Sequence, residues 1–200
     1  SITTAAGRGA QAGVLVKNAE ALELMAEVDT LIVDKTGTLT EGKPVLTDVT
    51  SFGDVPEGEL LGAAAALERA SEHPLAEAIV EGAKTRGLSL GSGEEFEAIT
   101  GKGVIGKVDG RDVALGNNAL MTSLGIDCDT GEDTADRLRG EGKTAMFVAL
   151  DGRLAGLVAV ADPIKPTAEA AIRELHDLGI KVIMATGDNE RTAQAVASKL

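Results

Sequence analysis

The hydrophobic period of this chain changes twice along its length, and few architectures accommodate that. Leu31-Ile32-Val33 reads as the end of a short buried strand closing on Asp34. From Glu57, "EGELLGAAAALERA" and then "PLAEAIVEGAK" read as helices, the second opened by Pro74 and stopped by Gly87. The period then shortens. "EFEAI", "GVIGKV" and "RDVAL" alternate like strands, and Asp109-Gly110 is a two-residue hairpin signal. Asp151-Gly152 is a second one, joining "TAMFVAL" to "RLAGLVAVA". Between the hairpins lie two short helical stretches, Ala119 to Leu124 and Thr134 to Leu138.

The last quarter returns to α/β order. "GLVAVADPIK" is an apolar run ending in Asp162. A helix from near Pro166 places Ala168, Ala171, Ile172, Leu175 and Leu178 on one face and stops at Gly179. "IKVIMA" is a strand, "TGDN" a loop and "ERTAQAVASKL" a helix, an order that implies a parallel sheet with right-handed crossovers. An α/β domain split by an α plus antiparallel-β insertion of about a hundred residues accounts for both changes of period. The expected division is 1–43 and 158–200 for the parallel-sheet domain and 44–157 for the inserted one.

Charge and composition narrow the partners. A net charge of -13 makes nucleic acid and anionic membrane surfaces poor partners, and an aromatic fraction of 2% leaves no stacking platform for bases. One cysteine, Cys128, allows no internal disulfide and no thiolate-only metal site. No apolar run reaches the roughly 20 residues that span a bilayer, and no signal peptide is evident. "SITTAAGRGAQAG" opens without a methionine and "NERTAQAVASKL" stops inside a helical pattern, so the sequence reads as a piece of something longer.

A carboxylate is an expensive residue with which to end a buried strand, and Asp34 is followed by groups that suit phosphate: Lys35, Thr36, Gly37 and Thr38. Ligands bind at the carboxyl ends of parallel strands, so Asp34, Asp162 and Thr186-Gly187-Asp188 converge if their strands lie side by side. Gly37 and Gly187 admit close approach of backbone amides, and the helix after Asn189 presents its positive end nearby. A carboxylate facing a phosphoryl group can be its nucleophile, with Mg2+ bridging the two anions.

"DKTGTLT", Asp34 to Thr40, resembles the phosphorylation motif of the P-type ATPases, ion pumps of the haloacid dehalogenase superfamily. The resemblance implies a haloacid dehalogenase-like parallel-sheet phosphorylation domain with an inserted nucleotide-binding domain. It implies that Asp34 is phosphorylated by ATP, that Asp34 and Thr36 hold Mg2+, and that Thr186 and Gly187 bind the transferred group. Lys35 and Asp188 belong to the same candidate site. Related phosphatases carry an acid/base aspartate two positions after the nucleophile, where this chain has Thr36, a far poorer base, so an acyl-phosphate here should persist.

"LERASEHPLAEAI" followed by "TGKGV" resembles the nucleotide-binding domain of the heavy-metal subgroup. By that resemblance Glu68 and His73 contact adenine, Gly101 and Gly103 line the loop beside the phosphates, and Asn117 makes a further nucleotide contact. The bland alternative is that His73 merely caps the helix begun by Pro74. "GRGAQAGVLVKNAEALE", around Lys17 and Asn18, resembles the segment after the sixth membrane helix of copper and silver pumps, which implies Cu+ as the transported ion, membrane and actuator domains elsewhere in the same parent chain, and a cytoplasmic position on a bacterial inner membrane.

Several look-alikes fail on context. "GKGVIG", Gly101 to Gly106, leads into a strand and hairpin, not the helix a dinucleotide fold needs, and "GEGKT", Gly140 to Thr144, has Arg137 where a Walker loop starts with glycine. "TGE", Thr130 to Glu132, lies after the phosphorylated aspartate, whereas the pumps' dephosphorylation motif lies before it. The pumps also need a phosphoryl-steadying lysine and an aspartate-rich loop, both normally found beyond "TGDN". The chain is therefore expected to bind ATP without full turnover. A soluble phosphatase of the same superfamily and a non-catalytic nucleotide-binding module are the alternatives.

Overall fold

The computed structural model describes residues 2–16 and 18–200. Its elements run α1 (Ile2–Gln11), α2 (Ala19–Ala26), β1 (Thr30–Asp34), β2 (Val45–Ser51), α3 (Glu57–Glu68), α4 (Pro74–Thr85), β3 (Gly93–Ile99), β4 (Gly103–Val108), β5 (Arg111–Gly116), α5 (Asn118–Ser123), α6 (Asp129–Gly140), β6 (Thr144–Leu150), β7 (Arg153–Ala161), α7 (Ala168–Asp177), β8 (Lys181–Ala185) and α8 (Glu190–Ala197). Asn18 caps α2, its side chain accepting from Ala21 N at 2.9 Å. Lys17, on which the copper resemblance partly rests, lies outside the described residues.

β1 and β8 form a parallel pair, with Asp34 opposite Ala185. The other six strands form an antiparallel sheet in the order β2-β7-β6-β5-β4-β3. Strict alternation explains its two cores. Val113, Leu115, Val148, Leu150, Val158 and Val160 point to the face covered by α3 and α4. Ala114, Phe147, Ala149, Leu157 and Ala159 point to the face covered by α5 and α6. Both hairpins predicted from Asp-Gly pairs are present, with φ of 51° and 80° at Asp109 and Gly110 and 49° and 74° at Asp151 and Gly152, the paired left-handed geometry that such turns demand.

The observed fold is the expected one, an α/β chain with a parallel sheet and an antiparallel one, but some strands sit differently, and β1, expected to be buried, leaves Ile32 69% exposed and Asp34 exposed at its end. Gly156 to Ala161 is not a third parallel strand; it is the second half of β7, paired on one side with β2 and on the other with β6. A run that is apolar at every position reads alike in a parallel strand and in the middle of a sheet covered on both faces. The seam expected at 157/158 therefore cuts through a continuous strand. β2, expected to be loop, pairs with β7 along its length despite a bulge between Leu46 and Asp48. α6 is longer than Thr134 to Leu138, and Thr130 lies in its first turn. α7 packs through Ala168 and Ile172 against Val33, Val182 and Met184, while Ala171 and Leu178, expected on that face, are exposed.

Candidate phosphorylation and nucleotide sites

Asp34 closes β1 in extended geometry, and its carboxylate has no hydrogen-bond or ion-pair partner among the described residues. The chain then turns at once. Thr36 (φ -76°, ψ 123°) and Gly37 (φ 76°, ψ -12°) have the dihedrals of a type II turn, whose third residue needs positive φ and hence glycine. Thr40 N donates to Lys35 O at 3.0 Å, closing the loop. Thr40 itself is buried, and its hydroxyl donates to Asp162 Oδ2 at 2.5 Å and accepts from Gly37 N at 3.3 Å.

The second loop leaves the adjacent strand at the same end. Asp188 N donates to Thr186 Oγ1 at 3.1 Å, and Asn189 caps α8 by accepting from Thr192 N at 3.0 Å. A Cβ at Gly187 would meet nothing within 4 Å, so open space lies above this backbone. Lys35, largely buried, reaches across to Asp188 with Nζ–Oδ2 at 2.6 Å. Asp34, Lys35, Thr36, Thr186, Gly187 and Asp188 thus fall on two loops at the carboxyl ends of paired strands, the arrangement in which α/β sheets bind ligands.

The inserted module holds the other candidates. Glu68 ends α3 and is buried at 7% exposure, yet its Oε2 has no hydrogen-bond partner. Burial pushes its carboxyl above the ordinary glutamate range, partly offset by the Ser71 hydroxyl. His73 caps α4, its Nδ1 accepting from Leu75 N at 3.2 Å. That bond assigns the proton of the neutral ring to Nε2, which leaves an exposed N–H donor.

Asn117 and the glycine turn form a second cluster. Asn117 Nδ2 donates to Gly101 O at 2.8 Å, its backbone N donates to Lys102 O at 2.9 Å, and its Oδ1 accepts from Leu120 N at 3.0 Å to cap α5. The two glycines are required for different reasons. Gly101 has φ +72° with open space where a Cβ would stand. Gly103 lies against β5, where a Cβ would come 2.2 Å from Leu115 O. α3 lies over the same strands, with Leu67 against Gly106.

A family model described as a haloacid dehalogenase-like hydrolase matches residues 28–200. The chain belongs to the haloacid dehalogenase-like hydrolases. Over all 200 residues this haloacid dehalogenase-like chain is 64% identical to a copper-transporting P-type ATPase of Rhizobium leguminosarum bv. viciae, of which it spans 24%. It superimposes on a zinc-transporting PIB-type ATPase solved in the E2.Pi state with a TM-score of 0.75 at 35% identity, covering 100% of this chain and 32% of that one. The catalytic domain of the CPx-ATPase CopB-B matches at 25% identity and TM-score 0.67, covering 97% of this chain and 68% of that one. The chain spans about a quarter of the length of the curated relatives it matches. No described helix is long and apolar enough to cross a membrane.

Three groups beside the candidate residues escape sequence reasoning. Ser71 touches Glu68, Thr40 pins the loop after β1 from inside, and Lys165 donates to Gly37 O at 2.7 Å. Asp162 was expected at the end of a parallel strand. It meets the loop from the side, accepting from Thr40 Oγ1 and, at 3.1 Å, from Lys43 N.

Proposed function

We propose that the chain is the ATP-binding and phosphorylation region of a heavy-metal-transporting P-type ATPase, with Cu+ as the transported ion, standing on the cytoplasmic side of a membrane whose spanning helices and actuator domain belong to the same parent protein. The observation that carries the proposal is Asp34, an unpaired carboxylate at the end of β1 beside the Thr186–Asn189 loop, with a threonine at the position where phosphatases hold an acid/base. The copper-transporting relative supports the choice of ion. The pairing of β2 with β7 supports assigning both strands to the nucleotide-binding part, 44–161, with 1–43 and 162–200 as the phosphorylation part.

ATP docks first on the inserted module. Glu68 Oε2, buried without a donor, suits the exocyclic amine of adenine, and His73 Nε2–H suits a ring nitrogen or the ring face. Gly101 lets the phosphates approach its backbone, and Asn117 holds that turn by its carbonyl. A carboxylate oxygen of Asp34 then attacks the γ-phosphorus. A new O–P bond forms as the bond to the β–γ bridging oxygen breaks, and ADP leaves with that electron pair. Thr186 and the open backbone at Gly187 receive the phosphoryl oxygens. Asp34 and Thr36 offer the oxygen donors that a hard cation such as Mg2+ prefers; they would hold it, and it would supply charge neutralisation for the carboxylate and the phosphate. Thr36 has no basic group with which to activate water, so the aspartyl-phosphate lasts.

Calorimetric titration of this 200-residue chain with a non-hydrolysable ATP analogue tests the nucleotide half: binding is expected, weakened by His73→Ala and indifferent to Asp34→Asn. The chain by itself is expected to form little acid-stable, hydroxylamine-labile phosphoenzyme. Rapid release of phosphate from small phosphate esters would instead favour a soluble phosphatase.

A further inference from the structure

The segment Asp162–Lys165 runs beside the phosphate loop along its outer edge. Glu41 N donates to Pro163 O and Lys165 N donates to Leu39 O, both at 2.9 Å, and Thr40 bridges Ile164 in antiparallel register. Backbone pairing of this kind fixes where the loop's base lies, but it leaves the tip, Thr36 to Thr38, to its own turn. The side chain of Lys165 supplies what the pairing does not: its Nζ donates to Gly37 O at 2.7 Å.

We propose that Lys165 is a positioning residue for phosphoryl transfer, holding the peptide plane that follows Gly37 so that the turn beside Asp34 keeps one orientation. The proposal rests on the reading of Asp34 as the phosphorylated group. A trans peptide is planar, so a carbonyl held by an ammonium turns the N–H of Thr38 to the opposite side. Gly37 needs such a tether because, at φ 76° and without a side chain, its flanking peptides rotate more freely than those of any other residue. The tether is charge-assisted, and no carboxylate lies within ion-pair distance of Lys165 among the described residues, so its ammonium has no competing anionic partner there. Pro163 and Pro166 stiffen the segment on either side of it. A positive charge at the loop also offsets the charge that a phosphoryl group brings, in a chain whose net charge is -13.

The test compares Lys165→Met and Lys165→Arg with the parent in the full-length pump, measuring the rate of hydroxylamine-labile phosphoenzyme formation, and in this chain, measuring binding of a non-hydrolysable ATP analogue. Lys165→Met is expected to slow phosphorylation by about tenfold or more, the scale set by a small misplacement of a reacting group. The KM for ATP and the analogue's affinity stay within about twofold, and Lys165→Arg recovers much of the rate because guanidinium can donate to the same carbonyl. Phosphorylation of Lys165→Met at the parental rate overturns the positioning role. So does a loss of analogue binding in step with the loss of rate, which would mark a general folding defect. Absence of phosphoenzyme in the parent, with Asp34→Asn indistinguishable from it, overturns the assignment of Asp34 itself and the inference with it.

Discussion

Lys35 Nζ stands 2.6 Å from Asp188 Oδ2, and this one ion pair bolts the loop after β1 to the loop after β8. Both side chains are mostly removed from water, at 11% and 18% exposure, so the pair is neither a surface contact nor a fully buried one. Removing one partner leaves the other charge poorly solvated. Asp188→Ala should cost about 2 kcal/mol of stability, the scale of a hydrogen bond to a charged group. Urea denaturation of Asp188→Ala, Lys35→Met and the double variant checks this, and the double variant is expected to lose less than the sum of the singles.

Glu68 makes stability depend on pH in a direction unusual for a carboxylate. Burial raises its pKa in the folded state, so the native chain holds the proton more tightly than the unfolded one. Its contribution is therefore most favourable below the unfolded value of about 4.3 and is lost as pH rises through the raised folded value. Glu68→Gln should be more stable than the parent at pH 7, on the order of 1 kcal/mol, with the advantage shrinking toward pH 4. Melting curves across that range decide it; a constant offset would mean that Glu68 carries no burial cost. Nucleotide affinity should move the other way, rising with pH as the carboxylate ionises.

His73 has two separable roles on its two ring nitrogens. His73→Ala removes both the cap on Leu75 N and the outward Nε2–H, and should cost about 1 kcal/mol of stability together with nucleotide affinity. His73→Asn keeps an acceptor at the cap. It should restore the melting temperature to near the parent's while binding of the ATP analogue stays at least about tenfold weaker, a loss of about 1.4 kcal/mol.

Gly101→Ala and Gly103→Ala should differ sharply. At 101 only the positive φ penalises a side chain, about 1 kcal/mol, and the variant should fold with impaired nucleotide binding. At 103 the new methyl meets the carbonyl of Leu115, so β4 must part from β5 and the melting temperature should fall by roughly 10 °C. Thermal unfolding monitored by circular dichroism orders the two.

Much of the fold is legible in the sequence. Asp-Gly pairs gave both hairpins because left-handed turns have few other solutions, and Gly37 of the motif from Asp34 to Thr40 stands at the positive-φ position of the turn after β1. β2 was not legible: Thr47, Asp48 and Thr50 dilute its apolar alternation, although the β-branched Val45, Thr47, Val49 and Thr50 were a usable signal. Gly156 to Ala161 was misplaced because two-sided burial erases the alternation that distinguishes sheet types. Lys165 could not be found from spacing at all, since its partner is a backbone carbonyl distant in sequence. The reading of His73 as a bare helix cap and the reading as an adenine contact were posed as rivals. The ring geometry makes them compatible, one to each nitrogen.

Val45 and Ala161, the outer residues of β2 and β7, are register partners. The chain therefore departs into the inserted module and comes back at points about 5 Å apart. Seen from the parallel sheet, everything between them has the topology of one long hairpin loop. Once β2 and β7 have zipped, β1 and β8 need close only a short effective loop, although most of the chain separates them in sequence. The module's size is thereby uncoupled from the folding of the sheet that carries Asp34. Size is free but position is not, since α8 also meets the module through Thr192 Oγ1, which donates to Lys143 O, and through Arg191, paired with Asp136.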